Sequence, residues 1–414
     1  MTLIGAGAPP LHVETTPLDS PAALPSLADP RRPLLWQRNG AGLVGLGEAL
    51  RLEFSGPDRL REAADAWMVL SASAEVDDPI GLPGTGLVAF GAFAFSGRSS
   101  TTSVLIVPRT VVGSRGGRSW VTTISSDGAA GSEPTAARPF GDEYRVPLVP
   151  GAMTPDGYRS AVASAVGSIR AGALEKVVLA RDLRGRLPRG ADLRRILVEF
   201  ASTYPDCWTF AVDGFVGASP ETLVGVDHGA ITARVLAGTS ARGTDAAADA
   251  AIAQALLEST KDRSEHAFAI ASLLRELRPH TTSLSTSGEP FTLELPNLWH
   301  LATDVRGTLG DASTALDLVD ALHPTAAVAG TPTGTALELI DALEPFDRGR
   351  YAGPVGWIDG RGDGEWAVGL RSAQIAPDGE VTAWAGAGIV ADSDPDAELA
   401  ETRIKFRPVQ DALS

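Results

Sequence analysis

From Met1 to about Pro150 the chain alternates short apolar runs, such as Gly86-Leu87-Val88-Ala89-Phe90-Gly91, with clusters of Gly, Ser and Pro. That pattern predicts strands joined by turns. The stretch from Gly113 to Tyr144 is rich in Gly, Ser and Ala with little apolar periodicity, which predicts an exposed loop between parts of one fold. After Pro150 the pattern sharpens. Thr154 and Asp156 are placed to cap a helix running to about Ala171, and Lys176 to Leu183 follows as a β-branched strand. Trp208 to Val212, Thr222 to Val226 and Ala230 to Val235 read as further strands, ahead of one long helix from about Ala246 to Arg278. Tyr351 to Asp359, Glu365 to Ile375 and Val381 to Ile389 predict three more strands, with turns at residues 360–364 and 377–379. Asp394 or Asp396 then opens a final helix, and no repeat recurs at a fixed period.

With 44% of its 414 residues hydrophobic, the chain can bury a sizeable core, in one large domain or two ordinary ones. A formal charge of −16 disfavours nucleic acid or an anionic membrane as partner, since both call for basic stripes. An anionic substrate must therefore meet local positive charge from Lys, Arg or a metal. Cys207 is the only cysteine, which excludes an intrachain disulfide and a thiolate zinc cage and fits a reducing cytoplasm. Met1 to Pro10 carry no basic patch ahead of an apolar core, and no uncharged apolar stretch reaches the ~20 residues of a membrane helix. The expected location is cytoplasmic.

The chemistry-bearing residues fall in the last two-thirds. Lys176, followed by Val177, Val178 and Leu179 on a strand, is placed for partial desolvation, which lowers an amine's pKa and suits a general base. A strand-edge lysine pointing to water is the competing reading. Glu221 follows Pro220 in a tight turn, where burial would keep it protonated as a general acid; a turn carboxylate bonded to nearby amides is the alternative. Asp262 and Glu265 stand three apart on one helix, Glu398 and Glu401 three apart on another, so each pair shares a helix face. Two such pairs can supply oxygen ligands to Mg²⁺, and each alone also serves as a solvated face. His266 is not a natural Mg²⁺ ligand and can simply pack or cap. Gly386-Ala387-Gly388, read as lying between strand and helix, and Leu236-Ala237-Gly238-Thr239 let backbone N–H groups approach a carboxylate closely. Arg371, read as lying in a strand, and Lys405, one turn beyond Glu401, add positive charge for an anion. One amine, one lone carboxylate and two carboxylate pairs are what a magnesium-dependent rearrangement of a small polyanion needs.

These segments, in this order, resemble the chorismate-utilising enzymes, nearest their isochorismate-forming branch. The resemblance is carried by Lys176-Val177-Val178-Leu179-Ala180-Arg181, Gly217-Ala218-Ser219-Pro220-Glu221, Leu236-Ala237-Gly238-Thr239, Lys261-Asp262-Arg263-Ser264-Glu265-His266 and Leu298-Trp299-His300-Leu301-Ala302-Thr303. It continues through His323-Pro324-Thr325, Tyr351-Ala352-Gly353-Pro354-Val355-Gly356-Trp357, Leu370-Arg371-Ser372-Ala373 and Ala385-Gly386-Ala387-Gly388-Ile389-Val390. It implies an α/β (α+β) fold of two large antiparallel β-sheets packed face to face, with helices outside and the site between the sheets. It implies a single domain over residues 1–414, with 1–150 the variable part and 151–414 the catalytic core.

By that likeness Glu265 and Glu401 are the direct Mg²⁺ ligands, with Asp262 and Glu398 beside them. Arg371, Lys405, Tyr351, Thr239 and the amides of Gly386 and Gly388 grip the carboxylates of chorismate, in a substrate site that also includes Gly238. His300 lines the ring. The implied reaction adds water at ring C2 while the C4 hydroxyl leaves, with Lys176 as base and Glu221 as acid. Lysine at position 176 disfavours the aminating members, and Ala237 disfavours aminodeoxychorismate synthases, which often carry lysine there. Salicylate synthases, which go on to eliminate pyruvate, remain the rival, and a non-catalytic chorismate-binding protein is the reading from another class. The resemblance favours a monomer without a glutamine amidotransferase subunit, serving menaquinone or siderophore synthesis.

Overall fold

Strands from the two ends of the chain interleave in two sheets. The computed structural model describes residues 10–19, 23–126, 137, 139–296 and 298–414, leaving out the side chains of Lys261, Ser264 and Glu265. Among the described residues the larger sheet has thirteen strands, and its order runs Val149–Pro150, Lys176–Arg186, Glu380–Ile389, Ser372–Ile375, Phe215–Ser219, Trp208–Val212, Leu34–Arg38 and onward to Glu75–Asp77. The smaller sheet has ten: nine run Thr281–Thr286, Leu298–Leu309, Ala230–Ala241, Thr222–Asp227, Gly364–Val368, Pro354–Asp359, Val88–Ala92, Ser103–Val107 and Leu50–Phe54, and the tenth, Phe291–Leu295, also pairs with Leu298–Leu309. The pairings that frame the centre of both sheets are antiparallel, while His12–Pro17 and Glu75–Asp77 at one edge run parallel.

Strand alternation assigns each side chain to one of two cores. Trp36, Phe210 and Phe215 of the larger sheet join Phe90, Trp357 and Trp366 of the smaller in the layer between the sheets. Their sequence neighbours Leu35, Ala211 and Val216 face the other way, against Leu197 and Phe200 of the helix Arg194–Thr203 and Phe406 and Val409 of the helix Pro395–Ala412. The result is two antiparallel-rich sheets with helices outside.

Several sequence expectations change in the structure. The predicted strand from Glu365 to Ile375 is two strands in different sheets, Gly364–Val368 and Ser372–Ile375, so Arg371 lies in the crossing between them at φ 51°. A left-handed residue ends the pairing of one strand and lets the chain change sheets. The predicted helix from Ala246 to Arg278 breaks into Ala246–Glu258 and Thr260–Leu277, because Ser259 leaves the helical region and its side chain accepts from the Asp262 amide. Part of the predicted loop at residues 113–144 is a hairpin of Thr110–Arg115 with Arg118–Ser125, and residues 127–136 and 138 lie outside the described ones. Gly386 and Gly388 sit inside the strand Glu380–Ile389 rather than in a strand-to-helix turn. The helix Arg59–Ser73 was not anticipated among the N-terminal strands, although Leu60, Ala63, Ala64, Trp67 and Leu70 form its buried stripe. No helix among the described residues is long and apolar enough to cross a membrane.

One buried ion pair fixes the strand that begins at Lys176. Arg348 donates from Nε to Glu344 Oε2 at 2.8 Å and from Nη2 to Glu344 Oε1 at 2.6 Å. The guanidinium also donates to the carbonyls of Val178 and Val328, and Glu344 Oε1 accepts from the Ala180 amide at 2.7 Å. Replacing Glu344 with alanine leaves a guanidinium buried without its counter-charge. We expect Glu344→Ala to lower unfolding free energy by about 3–5 kcal/mol, read by denaturant titration. A loss below about 1 kcal/mol would show that the pair does not hold the strand.

Candidate active site

The chain passes from the larger sheet to the smaller between Phe215–Ser219 and Thr222–Asp227, with only Pro220 and Glu221 between. It passes back through residues 369–371. The two crossings lie side by side: the Val368 amide donates to Glu221 O at 3.1 Å, the Ala218 amide to Arg371 O at 3.2 Å, and Ser219 Oγ to Val368 O at 2.6 Å. Glu221 and Arg371 thereby open onto one cavity of about 300 Å³. Lys176, at the start of its strand, lines the same cavity with Gly238, Thr239, Asp262, His300, Tyr351, Gly386, Gly388, Glu398, Glu401 and Lys405. Every sequence-predicted site residue is therefore gathered there except Glu265, whose side chain lies outside the described residues.

Local backbone features aim these groups. Between Leu236 and Thr239 the pairing with Leu298–Leu309 slips register, and Gly238 takes φ 85°, so the bulge turns residues 237–239 toward the cavity. A Cβ on Gly238 would meet Asp262 Cβ at 3.1 Å. On the strand Glu380–Ile389, pairing with Ser372–Ile375 covers Val381 to Ala383 only, which leaves the later part of that edge facing the site. There Gly386 O accepts from Lys405 Nζ at 2.9 Å, and a Cβ on Gly388 would meet Lys176 Cε at 2.9 Å. The absence of a side chain at 388 is what gives the lysine its path.

Burial sets the protonation states. The Glu221 carboxyl is 6% exposed, and desolvation pushes it up to about 7 against the pull of Arg371, Lys176 and Lys405. It is an acid near neutrality. Burial holds His300 well below its ordinary value, with Arg371 pushing the same way. A neutral His300 accepts at Nε2 from Arg371 Nη2 at 3.2 Å, so Nδ1 carries the proton and faces Thr239 Oγ1 at 3.0 Å and Gly238 O at 3.3 Å. Burial also raises the Tyr351 hydroxyl to about 12 and lowers Arg371 from its usual range.

The acidic groups come from two helices. Asp262 is in the first turn of Thr260–Leu277, where its Oδ2 accepts from Ser259 Oγ, and Glu398 and Glu401 are in the first turns of Pro395–Ala412. Glu401 Oε1 is 2.6 Å from Lys405 Nζ. Among the described side chains no three His, Cys, Asp or Glu are drawn together as a metal cage. The donor chemistry nevertheless fits a hard cation, since Asp262, Glu398 and Glu401 offer only carboxylate oxygens to one cavity. His266 does not join them: it is buried, with Nε2 2.8 Å from Thr303 Oγ1, and tethers its helix to the strand Leu298–Leu309.

Arg348, which also lines the cavity, was not singled out from sequence. Its signal was Glu344 four residues earlier, a spacing shared with many exposed ion pairs.

A family described as chorismate binding enzymes matches residues 11–414. Isochorismate synthase DhbC of Bacillus subtilis is 39% identical over 285 residues, covering 66% of this chain and 71% of its own. The salicylate biosynthesis isochorismate synthase of Pseudomonas aeruginosa is 33% identical, covering 97% and 89%. Among solved structures, MenF, the menaquinone-specific isochorismate synthase of Escherichia coli, has TM-score 0.80 at 25% identity, covering 98% and 95%. Anthranilate synthase component I of Streptococcus pneumoniae, at 20% identity and TM-score 0.71, shares the fold. With nearly its whole length matched, and with the cavity between its sheets built as described, the chain belongs to the chorismate binding enzyme family.

Proposed function

We infer that this chain is an isomerase converting chorismate to isochorismate, as its relatives' names indicate. The observation that carries the reading is the placement of Lys176 and the buried Glu221 on one cavity with Arg371 and Lys405. Chorismate is a small dicarboxylate, and Arg371 and Lys405, with Tyr351, Thr239, Gly238 and the Gly386 and Gly388 amides, are the groups that bind its carboxylates. His300, neutral and hydrogen-bonded at both ring nitrogens, holds Arg371 and lines the ring.

The Lys176 amine takes a proton from a water as its oxygen bonds to ring C2. The ring double bonds shift, the C4–O bond breaks, and the Glu221 carboxylic acid gives its proton to the departing hydroxyl, which leaves as water. When Mg²⁺ is bound, Glu265 and Glu401, with Asp262 and Glu398 beside them, would hold it, and it supplies Lewis-acid pull on the ring carboxylate. The chain acts as one domain, residues 1–150 completing the sheets around the 151–414 core. It works as a cytoplasmic monomer without an amidotransferase subunit, its product entering menaquinone or siderophore synthesis.

Incubating the purified protein with chorismate, with and without Mg²⁺, tests the reading directly. Isochorismate in equilibrium with chorismate, formed only with Mg²⁺, is expected by chromatography and mass. Salicylate with pyruvate would assign the chain to the salicylate synthases, and no conversion would leave a binding protein.

Because the acid form of Glu221 is the active one, kcat/KM should show an alkaline limb that declines about tenfold per unit above pH about 7. In Glu221→Gln that limb should vanish and kcat fall by about 10²–10⁴-fold. Full activity in this variant would remove the general acid. Gly388→Ala should displace the Lys176 side chain and lower kcat by about tenfold or more. An unchanged kcat would mean that the lysine's path does not matter.

A further inference from the structure

Glu221 lines a second cavity as well as the substrate cavity. This chamber has a volume of about 20 Å³ and is walled by Thr325, Ser272, Glu276 and Arg234 among others. Thr325 Oγ1 is buried, with no hydrogen-bond partner among the described residues. A buried hydroxyl left unpaired costs about 1–3 kcal/mol. A site needs roughly 10–15 Å³ and polar partners to hold a water. The chamber meets both conditions, and a water in it would satisfy Thr325. The lining includes both Glu221, 6% exposed, and Glu276, whose side chain is 42% exposed, so the chamber lies between a buried residue and one that meets solvent.

The reaction proposed above gives that connection a task, and the inference rests on that reading. Each turnover moves one proton from water to the Lys176 amine and one from Glu221 to the departing hydroxyl. The enzyme is left with an ammonium and a carboxylate. Resetting requires Lys176 to lose a proton and Glu221 to regain one, and chorismate or its product in the substrate cavity covers the front of Glu221. We propose that the chamber behind Glu221 holds an ordered water, hydrogen-bonded to Thr325 Oγ1, that returns a proton from solvent to Glu221 while the substrate cavity is occupied. The proton comes from solvent water at the Glu276 end, and the matching proton leaves Lys176 through the substrate cavity once product has departed. Thr325 acts through the water and is a positioning residue.

Thr325→Val removes the hydroxyl at nearly constant size, Thr325→Ser retains it, and Ala269→Val adds bulk to the chamber wall without touching the substrate cavity. We expect Thr325→Val and Ala269→Val to lower kcat about tenfold, with KM for chorismate within about twofold. The solvent deuterium isotope effect on kcat should rise as proton return becomes limiting, and Thr325→Ser should restore both quantities. A high-resolution crystal structure of the wild-type protein should hold a water within roughly 3.2 Å of Thr325 Oγ1. Wild-type kcat and isotope effect in Thr325→Val, or a dry chamber in that structure, would overturn the proposal. If Thr325→Val does not fold, Ala269→Val and the wild-type structure decide it. An inactive Glu221→Gln beside unaffected chamber variants would remove only this inference, whereas an active Glu221→Gln would remove the acid itself.

Discussion

The site depends on two neighbouring places where the chain changes sheets. Antiparallel strands bond along their edges, and a chain leaving one sheet for another must release that pairing within two or three residues. Here the backbone groups freed at one crossing are satisfied at the other: the Val368 amide by Glu221 O, the Ala218 amide by Arg371 O, and Val368 O by Ser219 Oγ. The side chains at the crossings belong to neither sheet face, so they project into the space between the sheets. Glu221 and Arg371 are consequently both buried and both aimed at the cavity. The burial that raises the carboxyl's pKa follows from the topology.

An acidic chain of charge −16 has to concentrate positive charge to hold a dianion, and it does so at the same cleft. Lys176 comes from the larger sheet, Arg371 from the crossing and Lys405 from the last helix, while Asp262, Glu398 and Glu401 enter on helices. Arg371 is held against a histidine that burial keeps uncharged, so its guanidinium retains further donors. The Glu344–Arg348 pair has the opposite character. Its charges are spent on each other and on the carbonyls of Val178 and Val328, which makes it a fixed strut beneath the Lys176 strand.

Much of this was legible in the sequence because short runs carry their own geometry. Thr154 caps its helix by accepting from the Gly157 amide, and Asp394 caps the last one. The strands at Lys176 and Trp208 begin where their β-branched and aromatic runs begin. The breaks were not legible. Glu365 to Ile375 is apolar enough to read as one strand, and only the left-handed Arg371 divides it, a conformation that arginine does not advertise. Ser259 ends one helix and caps the next with a side chain equally at home inside a polar helix. The candidate residues that share the cavity were named with the help of the family likeness and not through spacing alone, since they span Lys176 to Lys405. Arg348 stayed hidden because burial, which separates a strut from a surface pair, is a tertiary property.

The last helix shows how one short segment can serve both signs of charge. Glu398, Glu401 and Lys405 lie at offsets of zero, three and seven, so all three face the cavity. Lys405 divides its ammonium between Gly386 O at 2.9 Å and Glu401 Oε1 at 2.6 Å. In the proposed role of Lys405, an arriving substrate carboxylate would meet a cation already partly stripped of water and held in place. Exchange of one carboxylate for another costs less than desolvating a free ammonium, because the desolvation has been met in folding. The (i, i+4) spacing is what lets Glu401 pair this ammonium from the same helix.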